Sequence, residues 1–159
     1  MFYIIKDNKI KEWGNYKFSK DCKEIVGISM EEYNKDKDRL VIKGDELIFN
    51  QDYAEILVTK EKERIANLRC TKRVLALVLK ELGVSYANLQ ALIATNEDAQ
   101  LEWDLCVELE RSNPLLDILG AQLGISSTTI DKIFKYANGE IGKEDFDETD
   151  MVKGGIANG

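Results

Sequence analysis

The strongest constraint in this sequence is a change of period near Asn50. Before it, apolar residues come in short runs broken by turn residues; after it, they recur every three or four positions over long windows. Strands followed by helices, rather than alternating with them, place a chain in the α+β class. The expected layout is a small N-terminal antiparallel β module over 1–51, a long connector helix over 52–70, a helical bundle over 71–141 and a flexible acidic tail over 142–159.

In the first part, FYIIK and KIKEW flank Asp7-Asn8, and RLVIK and ELIFN flank Gly44-Asp45. Both dipeptides suit the positive φ that two-residue hairpins demand. EIVGIS is a third candidate strand, and Ser29 with Glu32 makes a capping box for a helical turn through MEEYN. Asn50 or Asp52 caps the connector, whose TKEKER stretch is all polar and expected to be exposed. In the bundle, Val74, Leu75, Val78, Leu79 and Leu82 form one stripe closed by Gly83. Thr95 and Asp98 resemble a capping box for a helix carrying Leu101, Leu105 and Leu109 on one face. Asn113-Pro114 opens the next helix, which stops at Gly124. Ser126 or Ser127 caps the last, with Ile130, Ile133, Phe134 and Ala137 inward and Asn138-Gly139 as the stop.

The totals narrow the chemistry. The chain has no histidine, which removes the usual general base and the commonest metal ligand together. Cys22, Cys70 and Cys106 are too far apart for a zinc motif and are expected as buried, reduced thiols. No glycine-rich phosphate loop, nucleophile elbow or metalloprotease motif occurs, and the carboxylates of EWDLCVELE fall on different sides of one helix. The expectation is therefore a protein that is not an enzyme and needs no cofactor or metal. The opening MFYIIKDNK reaches charge at Lys6, so no signal peptide is expected, and VLALVLKELGV is too short to span a bilayer. A net charge of -7 argues against an anionic membrane or nucleic acid as partner.

One stretch pulls the other way. LGISSTTIDKIFKYA (123–137) reads as a short helix, a tight turn and a second helix, so residues 114–137 fit a helix-turn-helix DNA reader. The candidate reading helix carries only Lys132 and Lys135 as cations, offset by Asp131, and the preceding helix adds Asp117 and no base. Phosphate contact supplies most non-specific affinity, so such a reader would need dimerisation and a concentrated basic face around Lys60 to Arg73. The alternative is a packed helical hairpin in which the serines and threonines are caps. The β module offers a different surface: Tyr3, Trp13, Tyr16 and Phe18 crowd a module too small to bury every one, which makes them candidate anchors for a protein partner.

The segment EWDLCVELERSNPLLDILGAQLGISSTTIDKIF resembles small proteins encoded beside tail-fibre genes in tailed bacteriophages and prophages. In those, an acidic-aromatic helix leads through a polar-Pro step into LxxxLGxxLGxSxxxxDxxF. Here the pattern is carried by Trp103, Arg111, Asn113, Pro114, Leu115, Leu119, Gly120, Leu123, Gly124, Ser126, Asp131 and Phe134, and specific likeness covers residues 95–137. The resemblance implies a non-enzymatic tail or tail-fibre assembly protein, either a chaperone or a minor structural component. Its partner would be a tail fibre or another tail component, with homo-oligomerisation open, in the bacterial host cytoplasm during assembly or in the virion tail. An acidic DNA-binding regulator and a generic adaptor stand as alternatives.

Overall fold

The computed structural model describes residues 1–152, and the fold is α+β. The chain divides into two compact units, one ending at Lys60 and one beginning at Glu61. The division falls inside a single helix rather than at its end.

The first unit opens with a hairpin of β1 (Phe2–Lys6) and β2 (Lys9–Gly14). Its turn is Asp7-Asn8, with φ of 54° and 56°, the two left-handed residues of a type I′ turn. Register runs from Lys6↔Lys9 to Phe2↔Gly14, with a bulge where Ile4 faces Glu12 but Ile5 faces Ile10. The expected third strand is only β3 (Lys23–Glu24), pairing with β1; beyond it the chain leaves the sheet and Gly27 turns it at φ 88°. Ile25 and Ile28 still enter the core from this irregular path. Helix α1 (Met30–Lys35) has the expected capping box between Ser29 and Glu32. A short 3-10 turn, Lys37–Arg39, leads into the second hairpin, β4 (Leu40–Lys43) and β5 (Glu46–Phe49), with Gly44 at φ 65° in its turn. Tyr3, Ile25, Ile28, Tyr33, Leu40 and Leu47 are buried together.

Helix α2 (Tyr53–Ala66) buries no residue fully, which matches the polar TKEKER stretch. It is shorter than the 52–70 expected from sequence, because Arg69–Thr71 form strand β6. In the second unit follow α3 (Lys72–Glu81), α4 (Tyr86–Ile93), α5 (Glu97–Leu105), β7 (Glu108–Glu110), α6 (Pro114–Leu123) and α7 (Ser127–Ala137). Leu75, Leu79, Leu89, Ile93, Ile133 and Phe134 centre its core, with Ile93, Ile133 and Phe134 wholly removed from solvent. Burying each such side chain stabilises the fold by roughly 1.5–3 kcal/mol.

Further expectations are corrected here. The helix assigned to Leu101, Leu105 and Leu109 ends at Leu105; Cys106 is extended (φ −82°, ψ 148°), and β7 pairs antiparallel with β6, Leu109 opposite Cys70. Leu109 thus reaches the core from a strand while Leu101 and Leu105 stay exposed, and Ala99 takes the inward side. The cap is Asn96, accepting from Ala99 N–H at 3.0 Å, not Thr95. The flexible tail expected over 142–159 is packed as far as Val152. Phe146 meets Tyr136 edge-on, Val152 N–H donates to Leu82 O at 3.0 Å, and Asp150 is buried. The rest of that tail lies outside the described residues. Of the three thiols, Cys70 alone is buried, and burial pushes its pKa up to about 11; Cys22 and Cys106 are partly exposed. Among the described residues no helix is long and apolar enough to cross a membrane.

Candidate partner-binding groove

The first unit carries an open groove of about 500 Å³ where β2 ends and the chain turns toward β3. Its walls are Trp13, Tyr16, Phe18 and Met30, with Lys11 and Glu12 at the strand side. Each position follows from local structure. Trp13 faces Tyr3 across the hairpin, and directly opposite residues of an antiparallel pair share a face. Trp13 therefore lies on the core side but at its rim, 37% exposed, with its ring edge-on to Tyr33 at 6.3 Å between centroids. Gly14 has the Phe18 ring over it: a Cβ there would lie 3.5 Å from Phe18 Cδ1. Asn15 Oδ1 accepts from Met30 N–H at 3.3 Å and ties the loop to the start of α1. Tyr16, 74% exposed, stands at the mouth.

The groove adjoins a sheet edge. Strand order is β2-β1-β3, so β2 has one side without a strand partner. Extended segments can add to such an edge through backbone hydrogen bonds while adjacent pockets take alternate side chains.

Tyr3, expected among the anchors, belongs elsewhere. It is buried, and its Oη accepts the Leu47 N–H at 3.0 Å, linking β1 to the second hairpin. The other three candidates come together in the groove. Asn15 and Met30 were not singled out from sequence. The Ser29 cap marks where Met30 sits, but not that the loop after β2 folds back on it.

The residues of the sequence pattern running from Trp103 to Phe134 lie in the second unit, with Arg111 between β7 and α6. Arg111 is 7% exposed, and its guanidinium donates Nε to Asp131 Oδ1 at 2.6 Å, Nη1 and Nη2 to the two Asp117 oxygens at 3.1 Å each, and Nη2 to Ser127 Oγ at 2.6 Å. Burial works against the charge, but the bonds to Asp117 and Asp131 outweigh it and hold the Arg111 pKa above its ordinary value. Asp117 is correspondingly held low: burial opposes ionisation, and Arg111 prevails. Asn113 caps α6 by accepting from Leu115 N–H, with Pro114 at the first helical position. Gly124 takes φ 73° at the end of α6, and Ser126 caps α7 through Thr129 N–H. Gly120 lets α7 approach α6, since a Cβ there would come within 2.6 Å of Ile130 Cδ1. Trp103 is half-buried, with the Lys72 ammonium 5.8 Å from its ring centroid.

Helix α7 is thus held from several sides. Asp131 is engaged by Arg111, Lys132 by Asp150 and Asp147, and Lys135 by Glu61. In the basic stretch, Lys60 pairs with Asp36 and Asp38, Arg64 with Glu61 and Glu140, and Arg69 with Glu110. Among the described residues no cluster of three or more metal-ligating side chains is placed to hold an ion. Compared with family models, with curated proteins and with solved structures, the chain matches none.

Proposed function

We propose that this chain acts by binding another protein, without catalysis, as an assembly factor of the kind encoded beside tail-fibre genes in tailed phages. The observation that carries the binding part is the groove of the first unit. Trp13, Tyr16 and Phe18 converge there beside the open edge of β2, and Tyr16 is held out in solvent rather than packed. Exposed aromatics in a concave setting are the side chains that dominate binding energy at protein interfaces. The tail-fibre part rests on the sequence resemblance over residues 95–137 and names the occupant: an extended segment of a fibre or other tail component. The place of action would be the bacterial host cytoplasm during assembly, or the virion tail if the protein remains bound.

Co-expression with the product of an adjacent fibre-like gene, followed by size-exclusion chromatography with light scattering, tests this reading. Co-elution at a defined mass that is lost on Tyr16→Ala supports it; separate elution of both proteins overturns it. The hairpin of α6 and α7 has the three-residue turn of a DNA reader, yet its cations are already paired with carboxylates. A titration with duplex DNA at low salt tests that alternative, and salt-sensitive saturable binding would favour it.

A further inference from the structure

We propose that the outer face of α3 is a second docking surface, independent of the N-terminal groove, and that it takes an acidic, leucine-rich segment of a partner protein. Arg73, Leu77 and Lys80 fall at i, i+4 and i+7 on α3, opposite the stripe of Leu75, Val78 and Leu79 that enters the core. Together with Lys72, Tyr86 from the start of α4 and Trp103 from α5 they line an open groove of about 430 Å³. Its floor is apolar, and Leu77 and Tyr86 are both more than half exposed.

The charges decide the occupant. Lys72, Arg73 and Lys80 form no ion pair with any carboxylate among the described residues, although Arg64, Arg69, Arg111, Lys132, Lys135 and Lys143 of the same unit do; Lys62, on α2, also forms none but stands apart from this groove. This is an acidic setting: between Glu61 and Val152 the chain has 17 acidic and ten basic side chains. The first turn of α3 has Lys72 and Arg73 and no acid, which is the unfavourable sign for the positive end of a helix dipole. Three unneutralised cations and a helix N-terminus therefore add their potentials over one apolar floor. Lys72 is held in place, since its ammonium donates to the Trp103 carbonyl while lying over the Trp103 ring.

A ligand matching this surface needs carboxylates spaced along an apolar edge. A single-stranded nucleic acid would also bring anions, but it gains its affinity by stacking bases on free ring faces. Here Lys72 covers one face of Trp103, leaving Tyr86 as the one well-exposed ring of the groove, too few for a run of stacked bases. An acidic segment of a protein with apolar side chains between its carboxylates fits both the cations and the floor around Ala76 and Leu77.

The test is fluorescence anisotropy of the full chain with a fluorescein-labelled peptide of alternating aspartate and leucine, beside a lysine-leucine counterpart and labelled oligothymidylate. Saturable binding of the acidic peptide is expected, weakened by about tenfold or more in Arg73→Glu and in Lys80→Glu, and unchanged in Lys62→Glu, an exposed cation elsewhere in the unit. Both reversals sit on the solvent side of α3, and Arg73→Glu improves its first-turn charge, so melting temperature is expected to hold and a lost signal reads as lost docking. Absence of saturable binding, an equal loss in Lys62→Glu, or tighter binding of the lysine-leucine peptide or of oligothymidylate overturns the proposal.

Discussion

Arg111 Nε donates to Asp131 Oδ1 at 2.6 Å, joining the residue after β7 to the second turn of α7 across twenty positions of sequence. The same guanidinium grips Asp117 on α6 and Ser127 at the start of α7, so one buried cation fixes where three successive elements meet.

Removing that cation strands two carboxylates that the fold has arranged for it. Arg111→Met is expected to lower stability by about 2–3 kcal/mol, read from urea denaturation. Asp117→Asn, at the more exposed end, should cost about 1 kcal/mol or less. In a double-mutant cycle, Asp131→Asn should cost little once Arg111 has been replaced by methionine. Full additivity would show that the pair is not coupled.

Gly120 is required by proximity rather than by backbone conformation. Gly120→Ala places a methyl against the buried end of Ile130, and overpacking of this kind costs about 1–3 kcal/mol, partly offset by alanine's helix preference of about 1 kcal/mol. Ile130→Val removes the clashing atom. Alone it is expected to destabilise the protein, and combined with Gly120→Ala to be neutral or stabilising. Thermal melts of both single variants and the double check this.

Asp150 accepts from Thr129 Oγ1 and Lys132 Nζ, each at 2.7 Å, and from Asp147 N–H at 2.9 Å. Burial alone would raise its pKa, but these partners outweigh it and hold the carboxyl below its ordinary range. A depressed folded-state value contributes stability above the unfolded pKa and loses it as pH falls through the folded one, so the loss begins near pH 4. Asp150→Asn should cost about 1–2 kcal/mol at pH 7 and flatten the decline in stability as pH falls below about 4. An unchanged pH profile would remove Asp150 from this role.

Tyr3 and Tyr16 should separate cleanly. Tyr3→Phe deletes the acceptor of the buried Leu47 N–H and is expected to cost about 1–2 kcal/mol of stability with partner binding retained. Tyr16→Ala, out in solvent, should change stability by no more than about 0.5 kcal/mol while weakening partner binding. Calorimetric melting and the co-elution assay together distinguish the two.

Elements with a local cause were readable. Asp7-Asn8 makes its own turn, Ser29 and Glu32 satisfy each other's backbone, and Asn113-Pro114 and Gly124 bound α6, each through atoms only a few residues apart. The misread elements have distant causes. Leu101 and Leu105 repeat at helical spacing, but nothing in their spacing reports whether another element covers them. Glu108–Glu110 are a strand because Arg69–Thr71 lie alongside, and Asp150 is ordered because Thr129 and Lys132 receive it. The candidate groove was half legible: aromatic crowding pointed to Trp13, Tyr16 and Phe18, but which tyrosine would be buried depended on the second hairpin.

By itself, then, the sequence determined the order of strands before helices, the turns and caps that bound most of them, and the net negative charge, because these depend on short-range hydrogen bonds, allowed backbone angles and composition. Tertiary structure alone decided which apolar faces were covered, that Arg111 would gather Asp117, Asp131 and Ser127, and that Lys72, Arg73 and Lys80 would have no carboxylate partner among the described residues. Burial and ion pairing depend on what lies across a gap of several ångströms, and residues far apart along the chain supply it.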